Sequence, residues 1–102
     1  MRCIRIAFTV RPEANLEEVK AAIADFVAAL AAHHPAHRYS SFQVSENPRE
    51  FIHVGELAEE AVSDFQSQPF FRSFSNFLHT QCEDPPKATP LTRVASTLPA
   101  NR

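Results

Sequence analysis

The run Tyr39-Ser40-Ser41-Phe42-Gln43-Val44-Ser45-Glu46-Asn47-Pro48-Arg49-Glu50-Phe51-Ile52-His53-Val54-Gly55-Glu56-Leu57 decides the fold. Its first half belongs to a strand from His37 to Val44, with Ser40, Phe42 and Val44 on one face. Tyr39, Ser41 and Gln43 take the other. Glu46-Asn47-Pro48-Arg49 is turn-forming by composition. Glu50 to Leu57 then alternates again, with Ile52, Val54 and Glu56 against Phe51, His53, Gly55 and Leu57. Two alternating stretches around a short connection predict an antiparallel hairpin.

Upstream, Arg2 to Val10 is a half-buried strand, with Ile4, Ile6, Phe8 and Val10 facing one way. Arg11-Pro12-Glu13-Ala14 ends it. Asn15 is an N-cap with Glu18 three residues on, in capping-box spacing. Leu16, Val19, Ile23, Phe26, Val27 and Leu30 follow at helical spacing, which predicts a helix from Leu16 to Ala32 stopped by Pro35. Downstream, Glu59 to Gln66 reads as a short helix, and Pro69 opens an amphipathic one that runs to His79. Asp84-Pro85-Pro86 is a loop. Pro90 to Thr97 reads as a last strand, poorly apolar, placed at an edge or exchanged with a partner.

The order β-α-β-β-α-β makes a ferredoxin-like α+β two-layer sandwich. The chain reads as one domain over residues 1–98 with a frayed tail at 99–102. Ile4, Ile6, Phe8, Phe42, Ile52 and Val54 are expected to meet the helices. Cys3, Ala7, Tyr39, Phe51, His53 and Leu57 then lie on the open face. That face is too apolar for water, so a homodimer through it is expected, sheet against sheet.

Composition removes several functions. Lys and Arg total 10 against 12 Asp and Glu, a net charge of -2, with no basic block to hold nucleic acid or a membrane surface. Gly55 is the one glycine where an average chain of this length has about seven. Glycine-rich phosphate loops are therefore excluded, and no nucleotide cofactor is expected. No apolar run is long enough to span a membrane. The N-terminal residues lack the apolar core of a signal peptide, and two distant cysteines, Cys3 and Cys82, read as reduced thiols, so a cytoplasmic location is expected.

Three segments carry a family resemblance: Pro48 to Val54, Ala58-Glu59-Glu60-Ala61, and Gln68-Pro69-Phe70-Phe71-Arg72-Ser73-Phe74. With Asn76 to Pro86, the chain resembles the dimeric α+β barrel superfamily from Arg2 to about Ser96. Within it the sequence is most similar to the antibiotic-biosynthesis-monooxygenase-like family, in a branch whose members mostly lack assigned chemistry. The resemblance implies a dimeric barrel. It also implies either a cofactor-independent monooxygenase acting on a small quinol, phenol or polyketide-like aromatic, or a non-catalytic small-molecule-binding or structural homodimer. The chain departs from the family pattern at Gly55, where many members have Glu, at Leu57, where many have Trp, and at Phe65-Gln66, where many have His.

Candidate site residues follow from their chemistry. His53 lies mid-strand beside Phe51 and is the candidate proton acceptor. Arg5 or Tyr39 is the candidate for stabilising an anion. Phe71, Phe74 and Leu78, with Phe51 and His79, are expected to wall an apolar pocket between the second helical segment and the sheet. His33, His34 and His37 sit at a helix C-terminus, where the helix dipole accounts for them, and no metal site is expected.

Overall fold

The computed structural model describes residues 2–97. Strand β1 is Arg2–Thr9, helix α1 Leu16–His33, β2 Arg38–Val44 and β3 Asn47–Leu57. A 3-10 turn at Glu59–Ala61 leads into α2, Val62–Gln66, then α3, Pro69–Gln81, and β4, Lys87–Leu91. The four strands form one antiparallel sheet in the order β2-β3-β1-β4, with helices on one face. This is the ferredoxin-like two-layer sandwich, with an open sheet. The expected tail at 99–102 lies outside the described residues.

Local chemistry sets the boundaries. The Asn15 side chain accepts from the Glu18 N–H at 3.2 Å and starts α1. Val19, Ile23, Phe26 and Leu30 are its buried stripe. The turn between β2 and β3 is Ser45-Glu46, tighter than the composition suggested. Asn47-Pro48-Arg49 therefore belongs to β3, and a bulge at Gln43/Val44 absorbs the mismatch. Arg49 then reaches back: its guanidinium donates to the Arg11 and Ala14 carbonyls at 2.7 and 2.8 Å, tying β3 to the loop before α1.

Two expectations need correction. The last strand is Lys87–Leu91, not Pro90–Thr97. Leu91 already stands opposite Cys3, one residue from the start of β1, and among the described residues none past Leu91 pairs in the sheet. Its edge position is as expected, and Pro90 is tolerated there because an edge strand needs fewer donors.

The second correction concerns the faces. Ile4, Ile6 and Phe8 do meet the helices, but β2 and β3 present the faces opposite to those expected. Antiparallel partners share a face, and Ile4, Ile6 and Phe8 stand opposite Gly55, His53 and Phe51. Phe51 and Leu57 are buried under the helices, whereas Phe42 and Val54 are exposed on the open side. The layer gains more by burying aromatic and leucine side chains than by burying the β-branched pair Ile52 and Val54. No helix among the described residues is long and apolar enough to cross a membrane.

Candidate functional site

Gly55 and Tyr39 make the site possible. They stand opposite each other across β3 and β2. A Cβ on Gly55 would lie 2.8 Å from Tyr39 Cδ2 and 3.1 Å from Cε2, so the tyrosine ring occupies the space that any other residue would fill. From there the Tyr39 hydroxyl reaches His53 Nδ1 at 2.8 Å. His53 is 1% exposed and faces the helices between Ile6 of β1 and Ser41 of β2.

An aromatic box surrounds this pair. Phe8 and Tyr39 meet the imidazole edge-on, at ring-centroid distances of 5.2 and 5.3 Å. Phe74 of α3 lies parallel to it at 6.2 Å and stacks on Phe26 of α1 at 4.3 Å. Burial holds the His53 imidazole neutral, with its pKa lowered from 6.5 to about 4, and raises the Tyr39 phenol above its ordinary value. His53 Nε2 is buried with no hydrogen-bond partner. When Nδ1–H donates to the Tyr39 oxygen, Nε2 carries a free lone pair. When Tyr39 donates to Nδ1, Nε2 carries an unpaired N–H. In both tautomers a ligand oxygen at Nε2 would complete the hydrogen bonding.

The structure brings His53, Tyr39 and Phe74 together. Phe71 packs one layer away, 5.3 Å from Phe65 and 6.4 Å from Phe26. Leu78 and Phe51 are buried in the neighbouring half of the core with Phe8, Val10, Val19 and Ile23. His79 is exposed at the end of α3 and joins nothing, while burial raises the thiol pKa of nearby Cys82. Arg5 is the clear displacement: it pairs with Val54 and Thr89 and projects from the open face, so it cannot assist His53 within one chain.

His53 lines neither the groove between α1 and β2 nor the cleft between α1 and α3. That cleft, of about 280 Å³, is lined by Phe26, Phe70, Phe74 and Phe77, and Phe74 separates it from the imidazole. Two site residues were missed in the sequence, Phe8 and Phe26. Both were visible as apolar positions of β1 and α1; nothing in the spacing said that they would converge on one histidine.

The histidines after α1 form a polar corner instead. His33 Nε2 pairs with Asp64 at 2.9 Å, and His34 lies 3.9 Å from Glu60. His37 is buried with neither ring nitrogen partnered. Its pKa is lowered by burial first, then by His34 and His33, with Glu60 opposing. Among the described residues no three His, Cys, Asp or Glu side chains converge to hold a metal ion.

The chain shares the fold of antibiotic biosynthesis monooxygenases. One structure so described superposes with a TM-score of 0.80 at 16% identity, covering 93% of this chain and 100% of that one. A proposed antibiotic biosynthesis monooxygenase of Nitrosomonas europaea gives 0.81 at 12%, covering 93% and 100%. SnoaB of Streptomyces nogalater, described as a cofactor-independent oxygenase, gives 0.76 at 16%, covering 94% and 95%. No family model matches the sequence, and no curated protein matches it significantly. At these identities the likeness establishes the fold.

Proposed function

We propose that the protein binds a small phenol or quinol between its helices and sheet and oxygenates it without metal, flavin or other cofactor. The observation that carries this reading is His53: a neutral, buried imidazole with Nε2 unpartnered inside an aromatic box. A phenolic hydroxyl at Nε2 would give up its proton there, while Nδ1–H donates to the Tyr39 oxygen and holds the tautomer. The resulting anion stays beside the imidazolium, and their attraction in a dry site offsets the low basicity that burial imposes. An electron-rich ring carbon that bears a hydrogen then adds dioxygen, the His53 imidazolium returns its proton to the peroxide anion, and the hydroperoxide loses water, taking that ring hydrogen, to leave a carbonyl. The fold shared with SnoaB supports the same reading by analogy.

A second reading is a homodimer that binds small molecules without transforming them. One observation favours it. His53 is 1% exposed beneath Phe74, so nothing reaches Nε2 until that ring moves.

Oxygen uptake and ligand binding, measured over a panel of quinols and anthrones, separate the two. Uptake that His53→Ala slows about 10²-fold or more supports the oxygenase. Saturable binding without uptake selects the non-catalytic reading.

A further inference from the structure

The layer between α1 and β2 is left open at its outer edge. The helix-facing side chains of β2 are Tyr39, Ser41 and Gln43, so bulk drops after Tyr39 at Ser41. Across from them α1 presents Lys20, Ala24, Val27 and Ala28, with the two alanines one turn apart and exposed. Small residues on both sides leave a groove of about 560 Å³, floored by Ile23 and Phe51, which are themselves 6% and 2% exposed. That volume is in the range of small-molecule sites. Its walls are apolar except at the rim. There Gln43 is held by its own bond to the Pro48 carbonyl at 2.7 Å, and Ser41 adds a hydroxyl.

Lys20 is the one charged residue lining the groove. Among the described residues no carboxylate lies within ion-pair distance of its ammonium. An uncompensated cation at the mouth of an apolar furrow complements an anion with an apolar body. We propose that this groove binds a small amphiphilic monoanion, an alkyl or aryl carboxylate, with its headgroup at Lys20 and its body along Ala24, Val27 and Ala28 over Phe51. The groove borders the His53 region at Ser41, which stands opposite His53 in the sheet, but His53 does not line it and none of the chemistry proposed there is needed.

Anilinonaphthalene sulfonate is a suitable fluorescent probe, with decanoate as the displacing carboxylate and decanol as its uncharged control. The expected result is saturable enhancement by the native protein, reversed by decanoate far better than by decanol. Lys20→Gln should weaken decanoate about two- to fivefold and flatten its salt dependence, as expected for losing one exposed charge contact. Ala24→Leu fills the furrow with a good helix former and should reduce affinity about tenfold or more, with Ala28→Leu as an independent second block. Tyr39→Phe should leave probe binding unchanged, which keeps this site separate from the His53 reading. Unaltered affinity in both leucine variants, or equal displacement by decanol and decanoate, overturns the proposal. So does a leucine variant whose main effect is a change in sedimentation, because the groove would then be seating a second copy of the chain.

Discussion

His53 couples the site to stability through a proton that the folded state refuses. Its pKa is about 4 in the fold against the ordinary 6.5. Between those values the unfolded chain binds a proton that the folded chain does not. The His53 contribution to stability is therefore full above about pH 6.5, falls as pH drops toward 4, and levels off below. The size of the loss is about 3 kcal/mol. Buried His37 acts in the same direction, so the comparison that isolates His53 is wild type against His53→Gln, unfolded by denaturant at a series of pH values. The variant should lose most of the slope between pH 6.5 and 4; an unchanged slope would place the proton elsewhere. Gly55 makes a second claim at this scale. Adding a Cβ pushes the Tyr39 ring aside and with it the hydrogen bond to His53. Gly55→Ala should cost about 1–3 kcal/mol and shift the His53 ring resonances in NMR spectra. A neutral substitution with an undisturbed imidazole would show that the tyrosine relaxes without penalty. The sequence offered His53 and Tyr39 separately as candidates. It could not show that the lone glycine is what lets one ring lie over the strand and reach the other.

At the scale of elements, α1 and β1 were legible because each has one apolar face and a polar one. β3 was not, because both its faces are apolar: Phe51 and Leu57 on one, Ile52 and Val54 on the other. Alternation gives the period and leaves the side undecided, and pairing with β1 decides it. The last strand was misplaced for a related reason. Thr92 to Thr97 has strand-like composition, yet a strand also needs a neighbour, and the neighbour ends at Arg2. Helix α3 was legible in position but not in attachment. Its aromatic residues Phe70, Phe71, Phe74 and Phe77 are only half-buried, and Leu78, near its C-terminus, is its one fully buried side chain. The ring that covers His53 thus sits on a helix pinned mainly at one end. Amide exchange should be faster over residues 70–75 than over the C-terminal turns of α3, and faster than in the centre of α1. Leu78→Ala should destabilise the protein by about 2–5 kcal/mol and speed exchange along all of α3. Uniform protection across α3 in the wild type would argue against a ring that can move aside.

For the whole molecule the unanswered surface is the open side of the sheet. Three rows cross it: Arg38, Glu56, Cys3 and Leu91; Ser40, Val54, Arg5 and Thr89; Phe42, Ile52, Ala7 and Lys87. Phe42 is 55% exposed, and Val54 and Leu91 are 37% and 39% exposed. With half-buried Ile52 and Cys3 they trace an apolar diagonal band over the sheet, bordered by Arg5 in the middle row. A two-fold partner laid face to face covers the band in both copies at once, as an isologous interface requires. Polar groups limit how dry that contact can be. Arg93 already engages Glu56, but Arg5, in the middle row, must find an acceptor across the interface or keep water. Burying these apolar side chains in each copy favours association strongly enough to dominate one solvated guanidinium. Sedimentation at micromolar concentration should therefore give a species of twice the 11.4 kDa chain mass. Phe42→Glu combined with Val54→Lys places charges in adjacent rows of the band and should return the protein to a monomer. The helix-side core, which neither residue enters, should stay folded by circular dichroism. A wild type that sediments as a single chain would overturn self-association through this face.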